Sequence, residues 1–240
     1  MNKAVRINKY LADQGICSRR EADVLIGRKQ VLINGAPAVI GQVVQPHDTV
    51  TLKDTTKLPT KTYLAYYKGR GIITHSPAAG EVDIASRLKQ DFGLNDVYPV
   101  GRLDKDSEGL LLLSDDGRLT GPLLDPKNAV EKEYHVWVDK PVTKRCIDAL
   151  AAGVNIEGYL TKPARATRHP SNRQRLSLVL TEGKKHQIRR MCAALGYQVQ
   201  TLKRVRIMHI ELGKLKPNQF RKLTKPEVTA LLTTLHIPTQ

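Results

Sequence analysis

The chain has 240 residues, enough for one ordinary domain and a small second module, so two domains are the starting expectation. Its 39 Lys and Arg against 23 Asp and Glu give a formal charge of +16, which points to a polyanionic partner such as RNA, DNA or an anionic membrane. Membrane is disfavoured, because no apolar run approaches the roughly 20 residues that span a bilayer and no signal peptide opens the chain, so a soluble cytoplasmic protein is expected.

Cys17, Cys146 and Cys192 lie far apart, with no CxxC or Cys/His ligand spacing, and read as reduced core thiols. The histidines are scattered too. No metal site is expected.

Ile7, Tyr10 and Leu11 recur at i, i+3 and i+4, and Gly15 supplies the left-handed stop of a first helix. Ser18 and Glu21 form an S-x-x-E capping box, so a second helix starts at about Arg19 and buries Ala22, Leu25 and Ile26, with Gly27 placed to close it. Val31 to Ile33 predicts a strand, Asn34-Gly35 a hairpin turn, and Val50 to Leu52 another strand. Arg6, Lys9, Arg19, Arg20, Arg28 and Lys29 sit on or beside the two helices as a candidate phosphate-binding face. The runs Arg6 to Leu11, Gly15 to Ala22 and Val31 to Gly35 together resemble the S4 RNA-binding domain, which implies a helix pair presenting a basic surface to structured RNA.

Residues 53–62, KDTTKLPTKT, are polar, aperiodic and contain Pro59, as a linker would be. The expected division is an RNA-binding module over residues 1–56, a linker over 57–62 and a larger domain over 63–240, with docking on RNA separate from chemistry. Beyond the linker, Tyr63 to Tyr67, Ile72-Ile73, Leu110 to Leu113, Tyr134 to Val138 and Leu176 to Leu180 are short β-prone runs. Lys184 to Leu195 has helical spacing and ends at Gly196; Thr224 and Glu227 cap a last helix that carries Val228, Leu231, Leu232 and Leu235 on one face. Without regular alternation of strand and helix, this mixture argues an α+β fold.

The segment Gly101 to Gly117 reads as a charged, glycine-bounded loop that empties into an apolar strand and ends at an Asp-Gly turn. Pattern alone does not choose among Asp104, Asp106 and Glu108 as its reactive carboxylate. G-R-L-D followed by Gly109, a leucine run and D-D-G is similar to the signature of the RNA pseudouridine synthases of the RsuA branch, whose nucleophile is the Asp of G-R-L-D, here Asp104. Two further motifs follow in order. Lys132-Glu133-Tyr134 resembles the family's K-x-Y strand entry, which implies that Tyr134 lies against the target base. Gly183 to Met191 resembles the G-x-x-H-Q-I-R-R-M helix, which implies that Arg189 pairs with Asp104.

The resemblance runs from about Arg6 to Glu227 and implies an S4 module followed by a synthase domain with a mixed, mostly antiparallel sheet flanked by helices. Arg189 to Cys192, Gly196-Tyr197 and Arg206 to Met208 look most like the RluF-type synthases of large-subunit ribosomal RNA. One departure is Tyr67-Lys68-Gly69-Arg70-Gly71, where the family reads N-K-P-x-G; losing the proline is expected to loosen that turn.

The implied reaction breaks the N1–C1′ bond of uridine, turns the uracil and joins C5 to C1′. Nothing is oxidised or added, so no cofactor is expected. Tyr134 would stack on the base and serve as the base at C5. Arg102, Lys184, Lys185, His186 and Arg190 are the expected RNA contacts beside the catalytic loop. The expected partner is ribosomal RNA, 23S ahead of small-subunit or transfer RNA, acted on by a monomer. The reading from another class is a noncatalytic ribosome-binding or assembly factor.

Overall fold

The computed structural model describes residues 4–53, 60–75 and 82–238. Of the expected linker, residues 57–59 lie outside them.

The first module forms along the lines of its sequence. Helix Ile7–Asp13 buries Ile7 and Leu11, and Gly15 leaves it at φ +67°. The N–H of Glu21 donates to Ser18 Oγ, and the N–H of Ser18 donates to the Glu21 carboxylate, closing the capping box of helix Arg19–Gly27. That helix ends at Gly27 as expected, and Lys29, at φ +55°, makes the left-handed turn. Strands Val31–Ile33 and Ala36–Pro37 meet at Asn34-Gly35, both at positive φ, as a tight hairpin requires. Val50–Leu52 pairs on the other side of Val31–Ile33. Ile7, Leu11, Ala22, Leu25, Ile26, Val31 and Ile33 share one small core.

The larger part is a mixed sheet with helices on both faces, so the α+β expectation holds. Its strands run in the order Arg165–Arg168, Arg175–Leu180, Lys132–Val138, Val199–Ile207, Glu108–Ser114, Tyr63–Lys68 and Phe220–Lys222. Every neighbouring pair in that row is antiparallel except Val199–Ile207 with Glu108–Ser114. Successive side chains of a strand point to opposite faces. Leu64, Tyr66, Leu111 and Leu113 therefore meet helix Ile84–Phe92, while Ala65, Tyr67, Leu110 and Leu112 meet the last helix, Lys225–Thr234. Each buried leucine removes apolar surface worth about 1.5–3 kcal/mol. Helices Lys144–Ala152 and Gln187–Ala194 cover the other half of the sheet, against Val136, Val138, Leu176, Leu178 and Leu202.

Helices Ile84–Phe92 and Lys144–Ala152 go beyond the elements expected from sequence, although Asp83 and Thr143 cap them from the side chain. Ile72-Ile73 is no strand; Ile73 makes one isolated bridge to Asp83. Nor is the Gly69 turn loose. The Gly69 N–H, which proline would lack, donates to Asn218 Oδ1 at 3.1 Å.

The two modules touch. Arg118, whose side chain is 2% exposed, donates twice to Asp116, and its remaining nitrogen reaches Gly15 O at 2.9 Å and Pro238 O at 3.1 Å. Tyr63 donates to the same Asp116, and Lys61 pairs with Glu21 across the junction. Burial would raise the Asp116 carboxyl, but hydrogen bonds from Arg118 and Tyr63 hold it below the usual carboxylate range.

The parallel contact is short: Glu108 faces Lys203 and Gly109 faces Arg204. Gly109 sits at φ +107°, and a Cβ there would stand 2.2 Å from the Arg204 carbonyl oxygen. Gly109→Ala should therefore destabilise the protein by about 3 kcal/mol or more, from strain plus a backbone clash, read as a lower urea midpoint.

Candidate active site

The loop before strand Glu108–Ser114 bends out of the sheet at Gly101, φ +92°, and carries Arg102, Asp104 and Ser107. Its backbone is held from several sides. Lys68, fully buried, donates to the carbonyls of Gly69, Lys105 and Ser107 at 3.0, 3.3 and 2.7 Å. Thr74 donates to Leu103 O at 2.6 Å and accepts from the Leu103 N–H at 3.1 Å. Arg204 reaches Arg102 O at 3.3 Å, and Arg189 reaches Asp106 O at 3.3 Å. Burial pushes the Lys68 ammonium down to about 8, although the carboxylates of Asp104 and Asp106 pull the other way.

Beneath this loop opens a cavity of roughly 520 Å3. Of the residues singled out in the sequence, Arg102, Asp104, Tyr134, Lys184, Lys185 and His186 line it. Strand Lys132–Val138 delivers Tyr134, half-buried and register partner of both Leu178 and Arg204. The loop before helix Gln187–Ala194 delivers Lys184 to His186. The helix starts later than its periodicity suggests, because His186 takes the left-handed conformation at φ +51°. A non-glycine residue in that region marks a locally strained backbone. The imidazole Nδ1 stands 3.5 Å from Asp104 Oδ2.

Arg189 does not pair with Asp104 as expected. Its guanidinium is spent on carbonyls, Val199 O at 3.2 Å and Asp106 O, so it grips the loop two residues past the carboxylate. Arg190 also turns away from the cavity, to Glu157 at 2.7 Å and Ile156 O at 3.2 Å.

Four charged lining residues had no role in the sequence reading: Asp125, Glu182, Lys132 and Arg204. Burial would raise the Glu182 carboxyl, but donors from Tyr159, the Lys162 N–H and Gln187 hold it below the usual range. Arg204 faces inward by ordinary alternation, two residues after buried Leu202, and the bulge between Arg204 and Arg206 then brings Ile207 to the cavity. The i, i+2 spacing from Leu202 was the available signal, and the charge at the inward position hides it.

On the first module, Arg6, Lys9 and Arg19 line a shallow groove with Tyr10 and Gln45, Lys9 pairing with Asp13. Arg20, Arg28 and Lys29 are exposed but stand outside that groove, the last two at the far end of helix Arg19–Gly27. Of the six charges, three thus form a short face, while Arg20 and the pair Arg28 and Lys29 stand outside it. All three cysteines are free and buried. Among the described residues no helix is long and apolar enough to cross a membrane, and no cluster of His, Cys, Asp and Glu is arranged to hold a metal.

The family model for RNA pseudouridylate synthase matches residues 62–194, and that for the S4 domain matches residues 5–54. The dual-specificity RNA pseudouridine synthase RluF of Escherichia coli (strain K12) is 39% identical over 238 residues, covering 96% of this chain and 79% of that protein. The ribosomal small subunit pseudouridine synthase A of Vibrio vulnificus (strain CMCP6) is 32% identical, covering 95% and 99%. A crystal structure of a pseudouridylate synthase superposes with a TM-score of 0.69 at 30% identity, over 95% of this chain and 99% of that one.

Lys68 yields a test of how the loop is held. Its folded pKa of about 8 lies below the ordinary 10.5, so the unfolded chain binds more protons between those values and stability rises with pH there. Tyr63 and Tyr67, raised by burial and by acceptors, lose stability only above the ordinary tyrosine range near pH 10. The buried thiols of Cys17, Cys146 and Cys192, raised by burial, lower stability above about pH 9 in both proteins, so the difference is what reports Lys68: between pH 8 and 10, Lys68→Met should reduce the slope of unfolding free energy against pH by up to ~1.4 kcal/mol per pH unit for one proton. Urea melts of both proteins at three pH values check this; parallel curves contradict it.

Proposed function

Because the chain belongs to the RNA pseudouridylate synthase family, we propose that it isomerises one specific uridine of 23S ribosomal RNA, with Asp104 as the nucleophile. The observation that carries this reading is Asp104 itself. It is a part-exposed carboxylate facing a cavity otherwise rich in cations, on a loop whose backbone is fixed from several elements. A carboxylate so placed can attack C1′ and needs no cofactor.

The work divides among the side chains as follows. The target uridine leaves its stack and enters the cavity, which costs a few kcal/mol that phosphate contacts offset. Tyr134 stacks on the uracil, and its hydroxyl takes the C5 proton. Arg102, exposed at the rim, and Lys184 and Lys185 hold phosphates, while His186 sits beside the carboxylate. Arg189 acts through the backbone, keeping Asp106 and so Asp104 in place. Arg190 steadies the turn at Ile156 and Glu157.

Residues 1–56 serve as the docking module and residues 63–240 as the catalytic domain of a cytoplasmic monomer. Arg6, Lys9 and Arg19 are the primary docking charges, with Arg20, Arg28 and Lys29 reaching further along the RNA. The choice of 23S RNA rests on the resemblance to RluF-type synthases; small-subunit and transfer RNA are the other outcomes of the mapping below.

Asp104→Asn should abolish turnover and leave RNA affinity nearly intact. Pseudouridine mapping of ribosomal and transfer RNA from cells carrying wild type, the variant or neither locates the uridine; a variant rate within tenfold of wild type, ~1.4 kcal/mol in barrier, removes Asp104 as nucleophile. Charge removal at Arg6 or Arg19 should lower the slope of log affinity against log salt by about 0.7–0.9 each. Titrations at four salt concentrations measure it, and an unchanged slope takes that residue off the docking face.

A further inference from the structure

Two cations line the cavity without a carboxylate to answer them. Lys132 and Arg204 stand on adjacent antiparallel strands, on the face that carries Tyr134: Arg204 is opposite Tyr134, and Lys132 lies two residues before it. Arg204 is 3% exposed. Its Nε donates to Leu110 O at 2.7 Å and its Nη1 to Arg102 O, while Nη2 is buried and has no partner. Lys132 donates to Val130 O at 3.1 Å; burial, and then the nearby Arg204 charge, push its ammonium down to about 8. Neither residue takes part in an ion pair among the described residues.

Holding two like charges together, away from water and unpaired, opposes folding. Such an arrangement is expected where a negative charge develops during reaction, since fixed charges in a dry site act strongly and need no reorganisation. Phosphate is the less suitable anion. Arg102, Lys184 and Lys185 are exposed, whereas Arg204 is buried beside the tyrosine that faces the base.

We propose that Lys132 and Arg204 hold the uracil once it is detached, donating to its ring oxygens while it carries negative charge. This rests on reading the cavity as the uridine pocket. As the N1–C1′ bond breaks, its electron pair stays on N1 and spreads to O2 and O4, while the Asp104 carboxylate bonds C1′. The ring then turns, C5 bonds C1′ as the carboxylate leaves, the C5 proton is lost and N1 takes one up. Atoms and charge balance with no added reagent. Between the two bonds nothing covalent retains the base, so the two cations both favour its departure from C1′ and keep it in the pocket.

The test compares wild type with full-length Lys132→Met in single turnover on in-vitro transcripts of ribosomal and transfer RNA, made with uridine or with 5-fluorouridine. Rupture of N1–C1′ is scored by nuclease digestion and mass spectrometry. Fluorine itself stabilises the uracil anion, so the lost ammonium should matter less on the fluorinated RNA. Expected are a ~100-fold slower rupture with uridine, at most ~10-fold with 5-fluorouridine, and RNA affinity within about threefold of wild type. Lys132→Arg should recover most of the rate, and Arg204→Gln should show the same dependence on fluorine. Equal losses on both RNAs, an unchanged rate on uridine, or a loss confined to affinity overturns the proposal. Should Lys132→Met not fold, Lys132→Gln, which keeps a donor without the charge, is read in the same way. Wild type inert on every transcript would remove the uridine pocket and this proposal with it.

Discussion

A carboxylate exposed to water is mobile, and this fold has to keep one still. It does so by gripping the peptide groups around Asp104 and leaving the side chain itself largely free. The carbonyls of Arg102, Leu103, Lys105, Asp106 and Ser107 each accept from a side chain anchored elsewhere: Arg204, Thr74, Lys68, Arg189 and again Lys68. Charge-assisted bonds to carbonyls are stronger than neutral ones. They also give buried cations somewhere to place their hydrogens, which is how a fully buried lysine is tolerated beneath the loop.

The same demand accounts for the join in the sheet. Lys68 ends one strand, Arg204 lies inside another, and Gly109 is the second residue of a third; all three meet at the base of the loop. Gly109 lets the parallel strands approach closely enough for Arg204 to reach Arg102 O. Alternation from Leu202 turns the Arg204 side chain inward. Leucines on both faces of Glu108–Ser114 then lock the strand that carries the loop.

Much of this was legible in the sequence, and the gaps have physical causes. The G-R-L-D, K-x-Y and G-x-x-H-Q-I-R-R-M segments led to Asp104, Tyr134 and Lys184 to His186, and all of these line one cavity. Capping boxes at Ser18 and Thr224 fixed two helix starts, because that signal is local. Lys68 and Arg204 were passed over as active participants because a cation in a β-prone run reads as solvent-facing, and its burial depends on contacts from distant elements. Arg189 misled in the opposite way: a motif names a residue but not the acceptor it finds, and here Val199 and Asp106 offered carbonyls first. Helices Ile84–Phe92 and Lys144–Ala152 had caps in plain view, yet a strand-rich surrounding masked them.

Arg118 ties together stretches that the chain keeps far apart. Gly15, near the beginning, and Pro238, near the end, both terminate on its guanidinium. Loss of either carbonyl strips an acceptor from a cation whose side chain is 2% exposed, so shortening the tail beyond helix Lys225–Thr234 loosens the seat of the first module. The terminal stretch around Pro238, usually the most dispensable part of a domain, thereby becomes part of the contact between the two modules.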